Sequence, residues 1–361
     1  MTTIAITGAA GLIGRRLTAV LDRRDDVTRI VGLDRRAPEG TASTRFVFRQ
    51  VDVRDPDLAS SLDGVDVLIH LAFQMDPIHD EQTMRSVNVD GTRNVFEAAE
   101  RAGVQRVVYL SSVVAYGAAA DNDLPLTEES PIRGTPDLNY AEHKRDVEQW
   151  LARWQQHPRN VDVTVLRSAM VLGPGVQNFI TRILEAPRFT QIRGHAPPLQ
   201  FVHLDDLVAA IDHAIEQRLT GVYNVCAEGW LAFDEVVAIV GRRPIALPEE
   251  LAFTTAARLW KLGVGEQPPG IVLHLMHPWV MSASKLMATG WRPRITNRAA
   301  LAETVAEHAD HVAVVGLRTR WSTIRRVALT GTLVGLLAVG LTIRAWRRSR
   351  SDVAVGSSAR H

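Results

Sequence analysis

Cysteine is almost absent: Cys226 is the only one in 361 residues. A single thiol excludes an internal disulfide and fits a reducing compartment. Charge of one sign is also missing overall, with 41 basic against 40 acidic residues and a formal net charge of +1. With 46% hydrophobic residues, the composition is that of a folded protein, and only the last dozen residues have a disordered character. There is no internal repeat and no metal-ligand spacing. His274 and His277 lie three apart on an apolar stretch without a third ligand, so core or lid packing is expected and no metal. No signal peptide is expected, because residues 2–7 have the pattern of a buried strand entering a glycine-rich loop.

The balanced charge hides an asymmetry. From Arg318 onward there are nine arginines and one acid, Asp352, or +8, which leaves −7 for residues 1–317. An acidic body argues against nucleic acid as its partner. Inside the basic tail, residues 327–343 form 17 positions without a charge, bracketed by Arg325-Arg326 and by Arg344 and Arg347-Arg348. Trp321 and Trp346 stand outside the brackets, at aromatic-belt positions. A helix of that run spans about 25 Å, just short of a ~30 Å hydrocarbon core, and snorkelling arginines cover the deficit. A C-terminal membrane helix anchoring a cytoplasmic body is expected.

The first half alternates apolar strand runs with amphipathic helices, the pattern of a parallel α/β sheet. Strands are expected at 4–7, 29–33, 46–51, 65–71, 106–111 and 161–167, with helices at about 12–24, 83–102 and 139–157. A helix at 205–217, N-capped by Asp205, and a strand at 222–225 return to the sheet. His203, Asp205 and Asp206 are expected to form a structural strand-to-helix junction. The division is 1–172 for a cofactor domain, 173–317 for an interleaved substrate region and 318–361 for the tail.

Gly8, Gly11 and Gly14 sit three residues apart between the first strand and the first helix. Gly8 allows a tight turn, Gly11 close approach to a pyrophosphate, and Gly14 helix–sheet packing, with Leu12 and Ile13 opening the helix whose N-terminus attracts phosphate. Asp34 closes the second strand 20 residues beyond Gly14, where a ribose diol is held. Its carboxylate favours NAD, while Arg35 and Arg36 leave NADP open. Asp52-Val53 follows the third strand, either at the adenine edge or as a solvated strand end. Tyr140 and Lys144 stand at i and i+4 of one helix face and reach one pocket. A nearby ammonium is expected to lower the phenol from its usual ~10, suiting proton transfer during hydride transfer to a nicotinamide.

These residues resemble the extended short-chain dehydrogenase/reductase, or NAD-dependent epimerase/dehydratase, family from residue 2 to about 310. Further matching motifs are His70-Leu71-Ala72, Asn88-Val89-Asp90-Gly91-Thr92-Arg93-Asn94, Ser111-Ser112-Val113-Val114-Ala115-Tyr116-Gly117, Arg167, Gly173-Pro174-Gly175, Phe201-Val202-His203-Leu204-Asp205-Asp206 and Gly290-Trp291-Arg292-Pro293. The resemblance implies a doubly wound Rossmann sheet with a small substrate region. It implies Ser112 as the residue orienting the substrate oxygen, Tyr140 as acid/base and Lys144 as the holder of the nicotinamide ribose. It also places Leu71, Ala72 and Asn88 near the cofactor, Asn88 being either a cofactor neighbour or a support, and implies a homodimer through the helices at 83–102 and 139–157.

Two positions depart from the family's nucleotide-sugar enzymes: Met170 stands where an asparagine is usual, and Leu199 where an arginine binds a diphosphate. Arg182, Arg188 and Arg193 are the available substitutes. With Phe179, Trp260 and Leu262, these two suggest an apolar lining and a small-molecule substrate of low polarity, a sterol, isoprenoid or lipid alcohol. The alternatives are a nucleotide-sugar 4-epimerase or dehydratase, and a non-catalytic dinucleotide sensor or assembly factor.

Overall fold

The computed structural model describes residues 1–309 except 41–42 and 187, together with the backbone of 311–314 and 317–320. The expected membrane helix at 327–343 lies outside the described residues; among those described, no helix is long and apolar enough to cross a membrane.

Alternation of apolar residues builds the central sheet. In β1 (Thr2–Thr7), Ile4 and Ile6 enter one core cluster and Ala5 the other. In β4 (Val67–His70), Val67 and Ile69 face the first and Leu68 the second. Strands buried on both faces are nearly all apolar, as parallel sheets require. Helix α1 (Leu12–Leu21), β2 (Val27–Asp34) and β3 (Phe46–Gln50) follow β1. After β4 come α2 (Glu81–Arg85), α3 (Gly91–Arg101), β5 (Arg106–Ser112), α4 (Asn139–Trp154) and β6 (Asp162–Ser168).

Beyond β6 the chain makes β7 (Met170–Leu172), α5 (Phe179–Glu185), β8 (Phe189–Ile192), β9 (Phe201–His203), α6 (Leu204–Glu216) and β10 (Gly221–Val225). The seven-stranded parallel sheet runs β10-β6-β5-β4-β1-β2-β3. Strand order reverses at β1 and β4, so a crevice opens at their C-terminal ends. Leu17 of α1 and Leu207 and Ile211 of α6 pack on one face; Val95 and Phe96 of α3 and Val147 and Leu151 of α4 pack on the other.

A separate apolar cluster joins Met170, Leu172, Phe189, Phe201 and Phe233 over the sheet's C-terminal edge. It draws on α7 (Phe233–Val240) and on α11 (Asn297–Glu307), with β11 (Pro244–Leu247), α8 (Glu249–Lys261), α9 (Ile271–His274) and α10 (Ser284–Met287) between them.

Two local expectations are corrected. The N-cap of α6 is His203, whose side chain accepts from the Asp205 amide at 3.1 Å, so Asp205 falls one position inside the helix. The helix expected at 83–102 begins at Glu81, where Asp80 caps the Thr83 amide, and a π-helical turn at Ser86–Asp90 separates α2 from α3.

Candidate active site

Gly8 leaves β1 with φ +73, and a Cβ there would stand 2.8 Å from the Ala72 amide nitrogen. The loop after β4 therefore lies flush against the glycine loop, and only glycine fits. A Cβ on Gly14 would collide with the Gly8 carbonyl, so α1 starts directly over the sheet. Leu12 and Ile13 open α1, their side chains packing on the first core cluster. Asp34 Oδ2 accepts from the Ala10 amide at 3.0 Å, tying the end of β2 to this loop.

A cleft of about 240 Å³ follows, lined by Gly8, Gly11, Asp34, Arg35, Asp52, Val53, Leu71 and Ala72 among others. Arg35 and Arg36 are exposed at its rim. The Asp52 carboxylate is held in two bonds by the Arg54 guanidinium at 2.7 and 2.9 Å, which keeps it below the usual carboxylate range. The structure thus brings Gly8, Gly11, Asp34, Arg35, Asp52, Val53, Leu71 and Ala72 to one cleft, while Leu12, Ile13, Gly14, Asn88, Tyr140 and Lys144 lie outside its wall. Glycines, a helix N-terminus and a strand-end carboxylate around one elongated space fit a dinucleotide.

Asn88 has a different employment. It is fully buried in the π turn, where its side chain accepts from the Gln74 amide at 2.7 Å and donates to the Gln74 carbonyl at 2.9 Å. It therefore holds the cleft-lining segment that follows β4. Nearby, the neutral His70 ring links Thr7 (2.7 Å) to Thr92 (2.9 Å), and the Thr92 hydroxyl donates onward to the Asn88 carbonyl. Burial and the Lys144 ammonium push His70 down to about 3.

Ser112 ends β5, and its hydroxyl lies near enough to the Tyr140 phenol to pull its pKa down. Lys144 stands one turn beyond Tyr140 on α4. Its ammonium is buried, donates to the Leu110 carbonyl at 2.7 Å and the Tyr109 hydroxyl at 3.1 Å, and lies 3.6 Å from the Phe73 ring centre. The three residues are brought together, but the expected lowering of the phenol is overturned. Burial pushes Tyr140 up to about 12, against the pull of Ser112. Lys144 is itself pushed down to about 7 by burial, opposed by Glu148, and stands 5.9 Å from the Tyr140 ring centre. Desolvation of the phenolate outweighs a distant, partly neutral amine.

Glu148, one turn further along α4, went unnoticed in the sequence. It takes a buried bidentate pair from Arg167 of β6 at 2.6 and 2.9 Å and accepts from Ser111 at 2.5 Å. Arg167 also donates to the Tyr116 hydroxyl at 2.7 Å, which donates to Asn224 of β10 at 2.7 Å. The i, i+4, i+8 spacing of Tyr140, Lys144 and Glu148 was the available signal.

Across Tyr140 from Ser112 lies a second pocket, of about 70 Å³, walled by Val114, Met170, Phe189, Leu199, Phe201 and Trp279. Met170 and Leu199 occupy the expected wall. Leu262 does not, being 66% exposed, and Trp260 instead packs on His79. The Phe179 side chain lies outside the described residues. No lysine or arginine lines this pocket among the described residues. Arg182 is engaged by Glu266 and Asp76, and Arg188 and Arg193 are exposed. His274 is buried and bonded to Thr135, while His277 packs on His195.

Among protein families, residues 4–226 match the NAD dependent epimerase/dehydratase family. The chain belongs to that family. An uncharacterized protein of Mycobacterium tuberculosis (strain ATCC 25618 / H37Rv) is 27% identical over 253 residues, covering 68% of this chain and 67% of its own. Short-chain dehydrogenase/reductase family 42E member 1 of Xenopus laevis is 29% identical over 226 residues, 58% of this chain and 57% of its own. Among solved structures, MoeE5 in complex with UDP-glucuronic acid and NAD aligns with a TM-score of 0.66 at 24% identity, covering 84% of this chain and 98% of that one. Membership makes this an NAD-dependent enzyme, and the 240 Å³ cleft lies at the β1/β4 switch point of its sheet.

Proposed function

We propose that this member of the family is an oxidoreductase acting on a secondary alcohol or the matching carbonyl of low polarity. The observation that carries the reading is the position of Tyr140, beside Ser112 and in the wall of a pocket that is apolar and free of Lys and Arg among the described residues. A diphosphate buried there would lack the charge-assisted bonds it requires. Space of about 70 Å³ holds about five to seven waters, roughly 150–200 Å³ of liquid, so the enclosed end takes a group the size of two fused rings.

Bound NAD would accept the hydride in alcohol oxidation, and NADH would give it in carbonyl reduction. Gly8, Gly11 and the α1 N-terminus hold its pyrophosphate, and Asp34 its ribose diol. Ser112 holds the substrate oxygen, and Tyr140 takes the hydroxyl proton during oxidation or returns it during reduction. Lys144 positions the nicotinamide ribose. With the phenol pushed up to about 12, Tyr140 is protonated at neutral pH and set as a proton donor, which favours carbonyl reduction.

A low-polarity substrate also suits attachment of the body to a membrane through residues 327–343. Full-length chain should then stay with membranes in high salt and leave only in detergent. Homodimerisation through α3 and α4 belongs to the same proposal, and light scattering should return twice 39.8 kDa.

The reading is tested by incubating the full chain with NAD and a panel of apolar cyclic secondary alcohols or UDP- and dTDP-sugars. NADH should accumulate with the alcohols. Conversion of a nucleotide sugar without NADH accumulation would instead establish an epimerase or dehydratase, and binding without any turnover a sensor.

A further inference from the structure

Two polar side chains stand in the otherwise apolar wall of the pocket. Gln267, in the turn before α9, contributes a side-chain amide whose nitrogen and oxygen are both buried without a hydrogen-bond partner among the described residues. His274, on α9 itself, is 3% exposed and presents a buried Nδ1 in the same condition. Both side chains line the pocket that Tyr140 also lines. Unpartnered buried polar atoms are costly and rare in folded proteins. Three of them around one cavity call for a ligand group.

The chemistry of that group follows from the tautomer. The Thr135 hydroxyl accepts from the Ala118 amide at 3.2 Å and lies 2.9 Å from His274 Nε2. No other acceptor stands within reach of its proton among the described residues, so we assign the lone pair to Nε2 and the hydrogen to Nδ1. His274 is neutral, since burial pushes it down to about 3, and its ring is fixed edge-on against Trp279. The wall therefore holds one N–H donor on His274 and one donor and one acceptor on Gln267, which a small side-chain rotation would present to the cavity. No cation accompanies them, which disfavours a carboxylate or phosphate.

We propose that Gln267 and His274 are specificity-determining residues that bind a second, neutral oxygen of the substrate, a ketone or hydroxyl distal to the carbon that reacts at Tyr140. The substrate class is thereby narrowed to a compact apolar ring system carrying two oxygens, one at each end. The inference rests on the oxidoreductase reading given above and deepens it. A site built to hydrogen-bond an oxygen rejects the analogue lacking it, because its own polar atoms stay unpaired.

The test uses two bicyclic probes, 2-decalol and 6-hydroxy-2-decalone, which differ by a ketone on the far ring. Their affinities for the full chain saturated with NAD are measured by calorimetry. The ketone should bind at least tenfold more tightly to wild type, and Gln267→Leu and His274→Phe should each reduce that preference to under threefold. The melting midpoint of each protein without probe is a second readout. Gln267→Leu removes two unpaired buried atoms and should raise it, whereas an amide with a merely structural role would leave it lower when removed. Equal affinity of wild type for the two probes, or a preference surviving both substitutions, overturns this proposal and leaves the oxidoreductase reading standing. Binding of neither probe overturns both.

Discussion

Tyr140 is the residue on which the proposed chemistry turns, and its surroundings set its protonation. A buried phenol held up to about 12 is an acid at neutral pH and becomes a base only as the medium turns alkaline. Alcohol oxidation should therefore climb steadily from pH 7 to pH 10, while carbonyl reduction stays level near neutrality, as initial rates across the range would show. Tyr140→Phe should cut turnover by about 10²–10⁴-fold while the NAD dissociation constant changes little, since the phenol contributes proton transfer. A comparable loss in both quantities would make Tyr140 a cofactor ligand instead. The presence of Tyr140 was legible from its four-residue spacing to Lys144. The sign of its pKa shift was not, because spacing tells who shares a helix face and says nothing of desolvation. Gln267 and His274 were equally hidden: an unpaired buried atom has no sequence signature, and His274 alone suggests packing.

Among elements, α4 and the segment after β4 do most to position the site. Helix α4 presents Tyr140, Lys144 and Glu148 on successive turns and is fastened to β6 through Arg167, with both members of that pair only 5% exposed. Glu148→Gln would leave the guanidinium buried and uncompensated, so denaturant titration should show a loss of about 3–5 kcal/mol. The other device is the π turn carrying Asn88, which fixes Gln74 by two hydrogen bonds. Asn88→Ala should cost about 1–3 kcal/mol and weaken NAD binding, measured by fluorescence titration, because Phe73 and Gln74 line the cleft. An unchanged NAD affinity would confine Asn88 to stability. The strands and helices of the first half were readable because two-residue alternation and 3.6-residue stripes are written in the local pattern. The π turn and the buried Arg167–Glu148 pair were not, since both depend on which elements meet.

For the molecule as a whole, two layers of helices on a parallel sheet leave a crevice at β1 and β4, and an apolar lobe whose pocket Tyr140 also lines. The same burial that shapes the site makes the fold sensitive to acid. His70 and His274 are pushed down to about 3 and His143 to about 4, chiefly by burial. Unfolded histidines titrate near ~6.5, so between that value and about pH 4 the unfolded chain binds more protons than the folded one. The histidine contribution to stability is then complete above pH 6.5 and falls as the pH drops toward 4, a trend that melting midpoints in a series of buffers would trace. A flat profile over that interval would mean these rings are not held neutral.

The account stands on hydride passing between a substrate carbon and NAD at this site. Its most direct test takes the secondary alcohol that turns over fastest, carrying deuterium on its carbinol carbon, and weighs the NADH produced by mass spectrometry. One deuterium per NADH, absent from the Tyr140→Phe protein for want of turnover, is the result expected. NADH containing only protium, or no NADH from any alcohol while NAD is bound, would contradict it.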